Sequence, residues 1–525
     1  MPTVGQILTD EDKDNIKMFA LRLTFKLTRE FHDKFRWAFA DKIRMKSLYV
    51  LHRRMAILSG IIPQLYDCCP ASCCAYTGEL AEVLECPHCS APRFSPEGKT
   101  LASFEYLPMI PRLQALYENQ STIDLLTYRT AREQDQNRIA DVYDGIHYKT
   151  LLGRQIVING VEYNHTFFSD RRDIALGLMG DGFQLFKRSR RGHSSAWPFI
   201  LINYSLSPEI RTHIENVIPL FIIPGPTTPK NFNSFLFPFT QESQQLAIGI
   251  TTLDVQEQVL FPLRAYPIIN SGDMVAIRYT QCMKGPNAFA PCRVCRIQGC
   301  RDVEGQGKHY YVPLVPPKGT PESSQGSEWD PYDLPLRTNA EIVEQLTVIR
   351  AQPTKKAREW KAMLYGINGD SILFTIPSMS RTMSFPYEAM HLLFENHVPN
   401  MVKFWKGTYA PNLDEGTEEY VILPHVWETI GKETAAAVST IPSAFVSAIP
   451  DIYLNSHLYT AEMWCFWIIY IAPHVLKNRF QRPKYYTHML KLVDIIKTAL
   501  QFSITRADLA VLRIKIIEYV QTYER

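Results

Sequence analysis

The feature that most constrains this chain is an apolar run that stops on an acid. Ile174–Met179 is short and strand-like and is followed by Gly180-Asp181-Gly182. A second such run, Phe199–Tyr204, begins about twenty residues later. Between them lies Lys187-Arg188-Ser189-Arg190-Arg191, four cations in five residues, a density suited to phosphate contacts. Taken alone, Asp-Gly between two apolar runs is also a hairpin signal, and a charge run is also an ordinary solvated loop.

The residues that follow give the acid a context. Val217–Ile223 is a third apolar run, ended at Gly225. Asn231–Ile248 reads as a helix, and Val259–Ile269 is a further strand-like run leading into Ser271-Gly272-Asp273. The order is three strands, a helix and a strand, with an acid after the first strand and after the fourth. This is the layout of an α/β, ribonuclease H-like mixed sheet with helices, which presents two carboxylates side by side. Carboxylates so placed can hold two divalent ions about 3.5–4 Å apart and activate water or a 3′-hydroxyl for attack on a phosphodiester.

At 525 residues, with 46% hydrophobic and 21% charged side chains, the chain has the composition of a globular protein of several domains. A net charge of +3 means that any nucleic-acid surface must be a local patch. Residues 1–60 are one, with twelve Lys or Arg against seven acids. The N-terminus has no charged segment followed by an apolar one, so no secretory signal is expected. The most apolar run, Met463–Ala472, is about half of what a bilayer requires. Eleven cysteines, an odd and clustered set, favour metal sites and free thiols in a reducing compartment, cytosol or nucleus.

Cys69 and Cys73, then Cys86 and Cys89, form two close pairs separated by twelve residues. Four thiolates at such spacings can close a tetrahedron around Zn²⁺ at about 2.3 Å, and a site with no open position is structural. Cys68, Cys74 and His88 are alternates within reach, and buried free thiols are the other reading. Cys292, Cys295, Cys300 and His309 contain only one firm pair and make a weaker second zinc candidate.

Ahead of the first cysteine pair, Ile16, Phe19, Leu23, Leu27 and Phe31 recur at helical spacing, as do Leu48, Leu51, Met55 and Leu58. The first stripe is expected to be core. Residues 312–337, rich in Pro, Ser and Gly, read as loop or insertion. Glu388, His391 and Glu395 lie at spacings of three and four, where a histidine beside apolar residues is commonly just a satisfied core group. Thr460 is a helix cap with Glu462 in the first turn, where an acid also serves the helix dipole. Thr505 and Asp508 open the last helix.

These segments together resemble the transposase of CACTA (En/Spm-like) DNA transposons, particularly the fungal type. The resemblance is carried by Leu58-Ser59-Gly60 with the cysteine knuckle, Phe104–Arg112, Leu176–Phe183 around Asp181, Ser195-Ala196-Trp197-Pro198, and Ile223–Pro226. It continues in Gly272-Asp273 with Lys284-Gly285 and the Cys292–Cys295 pair, Phe385–Asn400, and Ala461–Trp464. It spans about residues 50–480.

The resemblance implies an Asp-Asp-Glu triad on a ribonuclease H-like core, with Asp181 and Asp273 as the first two ligands of Mg²⁺ or Mn²⁺. Glu462 is preferred as the third, with Glu388, Glu395 and His391 as alternates. Lys187, Arg188, Arg190, Arg191 and Lys284 would grip the phosphate backbone. The implied partner is double-stranded DNA, as transposon ends and target site, in the nucleus. A homo-oligomer is allowed and a membrane is not expected.

The implied activity is strand cleavage and strand transfer. Its rival is a catalytically silent DNA- or protein-binding descendant. The expected domains are an N-terminal helical region (1–65), a zinc knuckle (66–100), a helical linker region (101–165), the core (166–311), an insertion (312–385) and a helical completion with C-terminal helices (386–525).

Overall fold

Runs of four to nine residues supply six of the seven strands of the principal sheet: β1 (Gln64–Asp67), β2 (Ser103–Tyr106), β3 (Ile174–Gly180), β4 (Ser195–Asn203), β5 (Ile218–Pro224) and β6 (Ala265–Ser271), the short Phe183–Gln184 pairing with β4 as the seventh. The computed structural model describes residues 8–184, 195–301, 310–320, 328–409, 418–442, 444–446 and 448–525. Two compact units interleave along the sequence. One comprises Met1–Leu125, Phe183–Ile200 and Ile218–Arg264; the other comprises Leu126–Gly182, Leu201–Val217 and Ala265–Arg525. Strand β4 starts in the first and finishes in the second.

The first unit begins with helices α1 (Asp10–Thr24), α2 (Arg29–Ala38) and α3 (Leu48–Leu58). The expected core stripe does not form, since Leu23 and Phe31 are exposed. The helix stops after Thr24, Lys26 takes a left-handed φ of 50°, and Thr28 caps a new helix. Leu27 and Phe31 therefore fall out of phase with Ile16 and Phe19. Arg54 of α3 grips Asp12 of α1 at 2.7 Å, Phe19 meets the His52 ring edge-on, and Leu51 is buried.

In this unit the sheet order is β1-β2-β5-β4. Ser195, opening β4, donates to the carbonyl of Pro226 just past β5 at 3.2 Å, so the two strands run antiparallel. Helix α4 (Phe232–Ile248), capped by Asn231 and ended by Gly249 at φ +120°, packs Phe235 on Phe104. Phe199 stacks on Phe221 at 4.8 Å. Glu242 of α4 accepts hydrogen bonds from the backbone N–H groups of Met109 and Ile110 and from the Tyr106 hydroxyl, which satisfies the start of the helix Ile110–Ala115.

The run Val259–Ile269, expected as one strand, is two. Val259–Leu263 pairs with Ile250–Asp254 in a separate hairpin, and β6 starts only after Arg264. Pairing both ends with different neighbours requires the break.

In the second unit β3 is central, its first five residues buried. On one side it pairs in parallel with β6, Ala265 opposite Ile174 and Ser271 opposite Met179. On the other, Tyr204 at the end of β4 donates to the Ala175 carbonyl at 2.9 Å, an antiparallel approach. A Cβ on Gly177 would meet the Tyr204 ring at 2.5 Å, so glycine is required there.

The helices of this unit include α5 (Met274–Thr280), α6 (Lys355–Tyr365), a π-helical stretch Met390–His397 continuing into α7 (Val398–Trp405), and α8 (Ala461–Phe466). Trp405, Trp427, Trp467 and Met489 anchor the core that the π-helical stretch, α7 and α8 share. The last helix, Arg506–Glu524, opens on Thr505, whose hydroxyl accepts the Asp508 N–H at 3.0 Å. Among the described residues no helix is long and apolar enough to cross a membrane.

Candidate functional site

Parallel pairing of β3 and β6 determines where the two aspartates fall. Ser271 lies opposite Met179, Gly272 follows against Gly180, and each aspartate comes next in its own chain segment, Asp181 after Gly180 and Asp273 after Gly272. The strand ends touch: a Cβ on Gly272 would sit 2.6 Å from the Gly180 carbonyl oxygen. Only glycine allows that approach, and adjacent strands lie about 4.8 Å apart. Asp181 is exposed and accepts the Gly182 N–H at 2.7 Å. Asp273 is half-buried and caps α5 by accepting the Ala276 N–H.

Glu388, His391 and Glu395 form one cluster. Nδ1 of His391 meets the Glu388 carboxylate, while Nε2 lies 3.6 Å from Glu395. Glu388 also accepts the N–H groups of Met390 at 2.8 Å and His391 at 3.1 Å. Burial opposes the charge on both partners. The mutual hydrogen bond and attraction outweigh it, so the Glu388 carboxyl falls below its ordinary range and the His391 imidazole rises above its own. The field of Asp273 adds to the rise of His391.

Glu462 lies in the first turn of α8, after the Thr460 cap. Its side chain is exposed, and among the described residues it makes no hydrogen bond or ion pair. Helix α8 packs on the stretch Met390–His397. Three of these carboxylates do not draw within 4.8 Å of one another, since among the described residues only four cysteines form so tight a group.

Those cysteines, in the first unit, are Cys69, Cys73, Cys86 and Cys89, whose sulfurs all lie within 4.8 Å of one another. The donor set fits zinc. Four sulfurs bound tetrahedrally to one zinc ion are about 3.8 Å apart, inside this limit, and N–H groups of Ala71 and His88 point at Cys69 and Cys86 at 3.4 Å, as thiolates require. Burial raises the Cys86 pKa, but the N–H groups of His88 and Cys89 and the neighbouring thiols pull it down to about 7. Cys74 lies behind, 3.9 Å from the Cys86 sulfur, and burial pushes it up to about 12. Cys68 is likewise buried and raised to about 12, while His88 is exposed. The knuckle is tied to its own unit where Lys230 and Asn231 both donate to the Cys73 carbonyl at 2.9 Å.

Among the described residues the second cysteine set does not close. Cys295 donates to Cys292 with the sulfurs 3.2 Å apart, but Cys300 does not join them within ligand spacing. His309 lies outside the described residues, as do Lys187, Arg188, Arg190 and Arg191. Lys284 is half-buried, and its pKa is lowered by burial and then by Arg278.

Sequence reasoning missed Arg293. It donates to the carbonyls of Phe385 at 2.9 Å and Pro386 at 2.7 Å, and lies 3.9 Å over the Tyr387 ring. It thereby holds the segment that ends in Glu388. The only local signal was its place between two cysteines.

Residues 158–313 are similar to a transposase domain. The matching family is the transposase family tnp2, which supports a transposase-like function and, with it, DNA as the partner. The match contains Asp181, Asp273, Lys284 and Cys292–Cys300, and it stops short of the three glutamates and the four-cysteine cluster. No curated protein matches the chain.

Proposed function

We propose that this chain is a CACTA-type transposase, of the fungal kind, that cleaves and rejoins DNA at transposon ends from a ribonuclease H-like core. One observation carries the reading: the two aspartates follow the paired ends of adjacent parallel strands, inside the residues that match a transposase family. The strand order supports the core. Numbered from β3, the strands lie as third, second, first, fourth (β5-β4-β3-β6), with the first and fourth parallel and their neighbours antiparallel.

In this reading Asp181 and Asp273 would hold Mg²⁺ or Mn²⁺, hard cations suited to carboxylate oxygens. The bound metals supply an activated nucleophile and charge neutralisation at the phosphate. Glu462 is the proposed third acid, because its carboxylate is uncommitted while Glu388 is already occupied by two backbone N–H groups and His391. Glu388 and Glu395 remain the alternates. His391 would keep a proton beside the pair, drawing its charge from Glu388 and Asp273. Lys187, Arg188, Arg190, Arg191 and Lys284 would contact phosphates, the four cysteines would bind a structural zinc, and action on chromosomal DNA would place the protein in the nucleus.

The test is purified protein with Mn²⁺ on DNA carrying the element's own ends. Cleavage that disappears in Asp181→Asn and Asp273→Asn is expected. DNA binding without cleavage in the unaltered chain would leave a non-catalytic binder as the better account.

A further inference from the structure

We propose that the exposed face of α6, continued through Lys284 to Arg278 on α5, is a docking surface for the backbone of the duplex DNA that flanks the cleavage site. This rests on the transposase reading and adds to it the surface of α6, which lies outside the residues that match the family.

Residues 350–361 contain five cations, Arg350, Lys355, Lys356, Arg358 and Lys361, and one acid, Glu359. Lys355, Lys356 and Arg358 are exposed. Glu359 pairs with Lys355 at 3.9 Å with both side chains largely in water, a pairing that neutralises little. Arg358 spends one N–H on the Gln352 carbonyl at 3.1 Å and turns outward otherwise. Trp360 stands among these cations with 58% of its surface exposed, an uncommon state for so large a ring.

The patch is continuous with the aspartates. The Lys284 N–H donates to the carbonyl of Gly366, the residue after α6, at 2.8 Å. The next residue, Gly285, comes against Arg278, so this segment runs between the end of α6 and α5. Gly285 permits the approach, since a Cβ there would come 2.5 Å from an Arg278 nitrogen. Arg278 is carried on α5, and the residue that caps α5 is Asp273. A seven-residue helix is about 10 Å long, so the positive surface starts within about 10 Å of a proposed metal ligand. An acidic protein would also be drawn to α6. Continuity with the aspartates favours the polyanion on which they would act.

The experiment compares the full chain, zinc-loaded, with Lys355→Gln/Lys356→Gln/Arg358→Gln in binding to a thirty-base-pair duplex across a salt series. A charge-matched control carries Lys491→Gln/Lys497→Gln/Lys515→Gln. Each lost phosphate contact should lower the log–log salt slope by about 0.9, and the control should not change it. Protection of Lys355 and Lys356 from amine modification by the duplex gives a second reading that needs no folded variant. An unchanged slope with unprotected lysines would overturn the surface and leave the transposase reading standing. Protection by acidic protein but not by duplex would also overturn it. If the unaltered chain binds no duplex at all, both fall.

Discussion

The four-cysteine cluster and the carboxylate cluster are metal-site candidates of opposite construction. The cysteines converge completely, three of them buried, with backbone N–H groups already aimed at their sulfurs. The carboxylates are lined up but not drawn together: two follow adjacent strand ends, two flank a histidine, and one faces solvent. A closed donor set supports its own fold, whereas an open one leaves room for metal, water and a phosphodiester. In the proposed reading the difference separates a structural site from one built to react.

Removing the closed site should have the largest effect. Cys86→Ser, or a strong chelator, should abolish one bound zinc per chain and destabilise the first unit by more than about 4 kcal/mol, the range of lost metal sites. Metal analysis and thermal unfolding check this, and an unchanged melting curve would erase the contrast.

At the open site the effect should fall on rate instead of stability. Asp181→Asn and Asp273→Asn should cost at least about a thousandfold in Mn²⁺-dependent cleavage, about 4 kcal/mol of transition-state stabilisation. Folding should be retained, since Asn caps a helix as well as Asp does. Glu462→Gln should match them, and Glu388→Gln should not. The reverse result would move the third position to the histidine cluster.

Gly272→Ala tests the strand contact itself. A Cβ 2.6 Å from the Gly180 carbonyl must push the strand ends apart, at about 1–3 kcal/mol in a denaturant titration and with a loss of cleavage. A neutral outcome would mean that the aspartates need no such contact.

A pH dependence should also appear in the second unit. Burial lowers His147 and His397 to about 4, with Ser384 and the Tyr519 hydroxyl as their respective partners. Below about 6.5 the unfolded chain takes up protons that the folded one refuses. Stability should therefore fall from about pH 6.5 down to about 4, at up to about 1.4 kcal/mol per pH unit for each histidine, and be flat in this respect above 6.5. His397→Gln should make the decline shallower, as read by unfolding at a series of pH values.

Much of this was legible in local pattern. The strand-like runs ending at Asp181 and Asp273 could be read because both are short, apolar and stopped by glycine. The cysteine spacing was legible because two short pairs leave few ways to converge. The N-terminal stripe failed because periodicity cannot detect a break at Lys26, and the split of Val259–Ile269 failed because pairing partners are not local. The histidine cluster was visible only as spacing. Its link to Asp273 depends on two segments more than a hundred residues apart meeting in one unit.

The interleaving of the two units has a consequence for the gene. The chain crosses between them five times, since six segments alternate. No contiguous stretch encodes either one, and a fragment trimmed to the matching residues 158–313 would lack β1, β2 and every proposed glutamate. An in-frame internal deletion across residues 126–264 cannot remove one unit cleanly and spare its companion. Shortened copies of such an element should then be inert and depend on an intact copy to supply the protein, with no graded series of partly working enzymes between them.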